Sequence, residues 1–165
     1  MNKFAELYEH DFNAWIHNQI SLLKAGKTNE IDIEHLIEEL EDMGKSNLRE
    51  LENRFVILIA HLLKWQFQPE KQSSSWRGSM SEQRSMSEQR VQLLRLLRKV
   101  PSLKRELPNA IIDAYSDALD LAIDETGLPE STFPKTCLYT IEQLLDKHFY
   151  PENAGTGVQK TNLAL

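Results

Sequence analysis

Residues Asp32 to Trp65 read DIEHLIEELEDMGKSNLRELENRFVILIAHLLKW. Within them Ile33, Leu36, Ile37, Leu40, Met43, Leu48, Leu51, Phe55, Leu58, Ile59 and Leu62 fall mostly three and four residues apart. That is the recurrence of one face of an α-helix. Asp32 supplies a side-chain acceptor for the first turn, and Glu34 places negative charge where the free N–H groups point. The spacing predicts one long helix over 32–65. Gly44 costs about 1 kcal/mol against alanine inside a helix, so a bend or short break is expected there.

The same reading extends outward. Phe4, Leu7, Tyr8, Phe12, Trp15, Ile16, Ile20 and Leu23 predict a helix over 4–25, closed by Gly26. Residues 66–75 are polar and contain Pro69 and three serines. A third helix is expected over 76–99, with Val91, Leu93, Leu94, Leu96 and Leu97 forming its apolar face. Pro101 opens a short helical segment, which Pro108 is expected to break or kink. An acidic helix over 109–126 turns Ile111, Ile112, Tyr115, Ala118, Leu119, Ala122 and Ile123 inward and ends at Gly127. A last short helix is expected over 140–148. No strand pattern is present. The fold class is all-α: a helical bundle of about five helices including two long ones, as a single domain over 1–152 with a tail over 153–165.

Ser79-Met80-Ser81-Glu82-Gln83-Arg84 is followed at once by Ser85-Met86-Ser87-Glu88-Gln89-Arg90. A six-residue unit is far too short for a solenoid. It reads as a local duplication. Kept helical, six residues add ~9 Å of helix and turn everything upstream by ~120°. The first copy is expected to absorb this by looping out or by extending the helix.

The chain has 165 residues, 41% apolar and 27% charged, with a net charge of −6. It is long enough to bury about two-thirds of its unfolded surface. Its one cysteine, Cys137, excludes an internal disulfide. No apolar run approaches the ~20 residues of a membrane span. Residues 1–9 lack the apolar core of a signal peptide, so a soluble, cytoplasmic domain without a membrane partner is expected. Charge is segregated. Arg77 to Arg105 carries eight basic residues against Glu82 and Glu88, whereas Glu30 to Asp42 and Glu106 to Glu130 each carry seven acids and no Lys or Arg. Such blocks pair with each other or with a charged partner; the surface of Arg95, Arg98 and Lys99 is expected to pair with an acidic block.

Chemistry-bearing motifs are sparse. His10 and His17 share a helix face with Glu6, and His35 neighbours Glu38 and Glu39, but neither Glu-x-x-His on two helices nor His-Glu-x-x-His occurs. Glu38, Glu39, Glu41, Asp42 and His61 are the metal candidates, because a hard cation wants several oxygens at one point. Their acidic run is similar to those of the all-α nucleotide pyrophosphohydrolases. Asp113, Asp117, Asp120 and Asp124 form a second acidic stripe. The ordinary alternative for all of these is a solvated acidic face. Cys137 lacks a sequence-local base and reads as a packed thiol. The pI of 5.4 argues against a dedicated nucleic-acid binder. Trp65 and Trp76 flank the polar 66–75 segment and are, with Arg95, Arg98 and Lys99, the partner-binding candidates; the alternative is that they pack on the bundle.

Several segments together resemble a known family: Leu7-Tyr8-Glu9-His10-Asp11-Phe12 with Trp15, Glu38-Glu39-Leu40-Glu41-Asp42-Met43-Gly44, His61-Leu62-Leu63-Lys64-Trp65, Ser75-Trp76-Arg77, Pro101-Ser102-Leu103, Tyr115, Glu125-Thr126-Gly127-Leu128 and Phe133-Pro134. The chain resembles, over about 7–152, the bacterial and mainly cyanobacterial family catalogued as domain of unknown function 29. The resemblance implies a helical fold and assigns no activity. It fits between Trp76 and Pro101 only with one copy of the repeat removed, so the duplication reads as an insertion. The expected function is a non-enzymatic helical module that binds protein, itself included, without a cofactor. The alternative is a metal-dependent helical hydrolase built on the carboxylates.

Overall fold

A computed structural model describes residues 3–68 and 76–154, with side chains from Glu6 and, after the gap, from Met80 onward. Six α-helices lie among these residues: α1 Lys3–His10, α2 Phe12–Lys24, α3 Ile33–Phe67, α4 Trp76–Lys99, α5 Leu107–Thr126 and α6 Ile141–Leu145. Short 3₁₀ turns at Thr28–Glu30, Pro101–Glu106 and Glu130–Thr132 connect them. The described residues contain no strand, and the protein is an all-α bundle. The chain divides into two compact units, Met1–Ser46 and Asn47–Leu165.

Most elements fall where the residues place them, and the departures have local causes. The helix expected over 4–25 is two. Asp11 leaves helical geometry, and its carboxylate accepts the backbone N–H of Ala14 at 3.0 Å, so it ends α1 and caps α2. Gly26, at φ 70°, closes α2 with its N–H on the Leu23 carbonyl, while Lys27 reaches back to Leu22. α3 runs unbroken through Gly44, where the surroundings are open enough that nothing lies within 4 Å of an added Cβ. The segment opened by Pro101 stops at Glu106, and Pro108 is not a kink but sits in the first turn of α5, where its missing N–H is not needed. Thr140 caps α6 reciprocally with Gln143. The tail expected over 153–165 lies outside the described residues from 155 onward.

Among the described residues of the N-terminal unit the buried side chains are Trp15, Gln19 and Asp32. The C-terminal unit has one continuous apolar core. α3 contributes Leu51, Phe55, Leu58, Ile59, Leu62 and Leu63; α4 contributes Met86, Leu93, Leu96 and Leu97; and α5 contributes Ala110, Ile111, Ala114, Tyr115, Ala118 and Ala122. Phe133, Tyr139 and Leu144 complete the core. The Tyr115 hydroxyl donates to the Pro134 carbonyl and pins the connector after α5. Two residues expected inside are exposed: Ile112 and Val91. Each is adjacent in sequence to core positions but about 100° off the inward face.

Both copies of the hexapeptide are helical, so the duplication extends α4 and does not loop out. The inward positions of α4 are 82, 85, 86, 89, 90, 93, 96 and 97, spaced by threes and fours. A six-residue shift is out of phase with that series. Met86 is therefore 0% exposed while Met80 is 44% exposed, and Arg90 is fully buried while Arg84 is exposed. Arg90 donates through Nε to the Leu144 carbonyl at 2.9 Å and through Nη2 to Gln143 at 3.3 Å. It thereby satisfies carbonyls at the end of α6, where a cation also suits the helix dipole.

Identical residues should thus respond differently to one substitution. Met86→Ala is expected to cost about 2–5 kcal/mol of unfolding free energy, and Met80→Ala to stay within about 0.5 kcal/mol, both read by urea unfolding. Gly44→Ala should stabilise by about 0.5–1 kcal/mol in the same assay.

Candidate functional site

Two groupings of side chains stand apart from ordinary core packing. The first is the N-terminal unit. Its centre is Asp32, placed by the residues that start α3. Asp32 Oδ2 accepts from Trp15 Nε1 at 3.0 Å and lies 2.7 Å from His35 Nδ1, while the Asp32 backbone N–H donates to Gln19 Oε1 at 2.8 Å. Tyr8 stacks on the His35 ring with centroids 4.0 Å apart, and its hydroxyl donates to Glu39 at 2.6 Å. Burial pushes the Asp32 carboxyl up, but the bonds from His35 and Trp15 outweigh it and hold Asp32 below its ordinary value. The bond to Asp32 holds His35 above its ordinary value. The bond to Glu39 pushes Tyr8 to about 12.

Around this polar centre Leu7, Ile16, Leu22, Ile31 and Leu36 are half-buried, and other apolar residues of the unit lie outside. Ile33, Ile37, Leu40 and Met43 are 58%, 50%, 65% and 66% exposed, and Phe12, Ile20 and Leu23 of α2 are exposed too. The stripe that predicts α3 is therefore fully buried only from Leu51 onward, with Leu36 and Leu48 half-buried. Ile33, Ile37 and Leu40 share one face of α3. Glu34, Glu38 and Glu41, spaced likewise and all exposed, form the adjoining flank.

The second grouping joins α3, α4 and α5 in the C-terminal unit. His61 and Lys64 are three residues apart on α3, and Glu82 and Ser85 are three apart on α4, so each pair shares a face. Lys64 Nζ donates to Glu82 Oε1 at 2.7 Å and to Glu125 Oε2 at 2.5 Å. His61 Nδ1 bonds Glu82 Oε2, and His61 Nε2 lies 2.9 Å from Ser85 Oγ. Burial draws Lys64 down, yet the bonds to Glu125 and Glu82 win and raise it. Burial pushes Glu82 up, yet the bonds from His61 and Lys64 win and lower it. Both are held in their charged forms.

The structure does not gather the metal candidates. Glu38, Glu39, Glu41 and Asp42 belong to the N-terminal unit and His61 to the C-terminal unit. Glu39 is the acceptor for Tyr8, and the other three acids are exposed. Among the described residues no group of three or more His, Cys, Asp or Glu side chains is placed to hold a metal ion. Asp113, Asp117, Asp120 and Asp124 are exposed along α5. Arg95, Arg98 and Lys99 are exposed, and the expected pairing with an acidic block is not made by any ion pair among the described residues. Trp65 is half-buried against the C-terminal core with its ring 5.3 Å from that of Tyr150. The Trp76 side chain lies outside the described ones. Cys137 donates to the Tyr139 carbonyl, and burial pushes its thiol up, away from reactivity. No helix among the described residues is long and apolar enough to cross a membrane.

Glu82, Ser85 and Lys64 are absent from the candidates that composition and motifs bring forward. The signal for the first two is the register of α4. Counting back from Leu93 in threes and fours passes through 90, 89, 86 and 85 and reaches 82.

The model for Domain of unknown function DUF29 matches residues 7–150, and the chain belongs to that family. No curated protein and no solved structure matches it.

The two opposed shifts at Asp32 and His35 fix a pH window. A lowered Asp32 contributes stability above its ordinary 3.8 and loses it as pH falls through the folded value. A raised His35 contributes fully below its ordinary 6.5 and loses it as pH rises through the folded value. The N-terminal unit is then most stable in mild acid. His35 should titrate above 6.5 by NMR, and Asp32→Ala should return it towards that value. The same variant removes a cap and orphans the Trp15 indole, costing about 2 kcal/mol or more, read by Trp15 fluorescence in urea at pH 6. An unshifted His35 in the unsubstituted protein contradicts the ion pair.

Proposed function

We propose that the protein is a cytoplasmic helical protein-interaction module that docks its partner on the N-terminal half of α3. The observation that supports this most is the exposed Ile33–Ile37–Leu40 face, continuous in register with buried core positions on the same helix. Contiguous exposed aliphatic side chains of this kind mark interaction surfaces. The acidic flank of Glu34, Glu38 and Glu41 selects the occupant. A partner helix with an apolar stripe beside Lys or Arg residues would bury the first against the aliphatics and set the second against the carboxylates. A second copy docking by the same face would bring two acidic flanks together, which like-charge repulsion disfavours. Nucleic acid is repelled by the same charge.

The test compares the full chain with Ile37→Lys/Leu40→Lys, both at exposed positions where the fold tolerates the change. Tagged proteins are used to capture partners from native lysate, with cross-link mapping by mass spectrometry. A basic-helix partner cross-linked within 33–43, weakened by salt and bound at least about thirtyfold less tightly by the variant, is the expected result. A partner kept equally by the variant overturns the proposal, as does a wild-type chain that stays alone and monomeric. A dimer that the variant abolishes moves the occupant to a second copy.

A further inference from the structure

The Ser85, His61 and Glu82 side chains are connected in a specific order. Ser85 Oγ faces Nε2 of His61, and Glu82 binds Nδ1 of the same ring. This is the arrangement by which a hydroxyl is activated for acyl transfer: the carboxylate fixes the tautomer and stabilises the imidazolium, and the free ring nitrogen takes the hydroxyl proton. The arrangement recurs on unrelated folds and is recognised by geometry and not by chain order. Lys64 occupies the other oxygen of Glu82, with Glu125 holding Lys64 in turn. Glu82 therefore stays ionised and presents Oε2 alone to the ring. Ser85, His61 and Glu82 are half-buried, not sealed from solvent.

We propose that Ser85 is a nucleophile that is acylated by small carboxylic esters with a good leaving group, with His61 as its general base and Glu82 and Lys64 as positioning residues. Ser85 Oγ bonds to the ester carbonyl carbon, and its proton passes to His61 Nε2. The bond from that carbon to the leaving oxygen breaks, and the departing alkoxide takes the proton from Nε2. Water then attacks the acyl-Ser85 carbonyl, giving its proton to Nε2. The bond to Oγ breaks, Oγ recovers the proton, and a carboxylic acid is released. No oxidant, reductant or metal enters the balance. This reading concerns the C-terminal unit and stands apart from the docking proposal.

The duplication makes the pair. Glu82 is the fourth residue of the first copy and Ser85 opens the second, so within the repeat a Glu-x-x-Ser spacing exists only across the junction; three residues after Glu88 stands Val91. The repeat also provides an internal control. Ser79 and Ser85 begin the same hexapeptide, so sequence alone gives them equal reactivity.

The experiment treats the full chain with an alkyl fluorophosphonate and locates the adduct by mass spectrometry. Cleavage after Arg77, Arg84 and Arg90 separates the two serines, because the peptide bearing Ser79 also carries Gly78. The expected result is an adduct on Ser85 in preference to Ser79, Ser81 and Ser87, loss of the adduct in Ser85→Ala, and labelling slowed about a hundredfold or more in His61→Ala. Glu82→Gln slows it in the same direction, and turnover of p-nitrophenyl acetate falls in parallel. An unlabelled wild-type chain, labelling spread evenly over the repeat, or an unchanged rate in His61→Ala overturns the proposal. The wild-type adduct and its position decide the matter even if a variant fails to fold.

Discussion

An α-helix turns through about 100° per residue, and a repeat of six residues cannot stay in phase with it. The C-terminal unit of this protein is organised by that mismatch. α4 carries one hexapeptide twice, and the helix presents the second copy to the core and most of the first to solvent. Met86, Gln89 and Arg90 are inside; Met80, Gln83 and Arg84 are outside. The exception is Glu82. It lies one turn before Ser85 and Met86 on the inward face, so it meets Lys64 and His61. Identical chemistry is thus sorted by phase alone, into a core methionine, a buried arginine tying down α6, and an acid that anchors three helices.

The two units solve burial in opposite ways. The C-terminal unit excludes water from leucines, isoleucines and alanines, the usual source of folding free energy. The N-terminal unit buries an indole, an amide and a carboxylate, each bonded to another. A buried charge is costly unless paired and fully hydrogen-bonded, and Asp32 meets this with Trp15 and His35 on its side chain. Such a centre gains direction more than stability. It ties Trp15 and Gln19 of α2 to the residue that starts α3.

Much of the fold is legible in the residues. The apolar stripe from Ile33 to Leu62, the caps at Asp32 and Gly26, and the Pro–Gly punctuation around α5 give the all-α class and most boundaries directly. The break at Asp11 rests on one capping residue inside an otherwise periodic segment, which periodicity alone does not reveal. What periodicity does not reveal is which part of a stripe is covered. Leu40 and Leu58 lie on the same α3 stripe; one is exposed and the other buried. Coverage depends on what packs there, a tertiary fact. The metal candidates are not gathered among the described residues for a related reason: carboxylates adjacent on one helix point outward together unless a second element meets them. His61 was visible as a candidate, but its partners sit on α4, beyond a segment without periodic pattern.

The polar junction of α3, α4 and α5 contains more than its mechanical role requires. Lys64 between Glu82 and Glu125 ties the three helices by itself. The contacts of His61 with Glu82 and Ser85 add little to that tie, since a half-exposed hydroxyl exchanges its bond for water with a net change of about 1 kcal/mol. What they add is order at a ring: Glu82, held by Lys64, fixes one nitrogen, and the other is left aimed at a hydroxyl. That outcome follows from two pairs at a spacing of three on facing helices, His61 with Lys64 and Glu82 with Ser85. The same i, i+3 geometry that makes a cross-helix tie also strings serine, imidazole and carboxylate into a line. A duplication that only lengthened α4 would have left the outer turns unattached. Placed in this register, its junction delivers both the tie and the line.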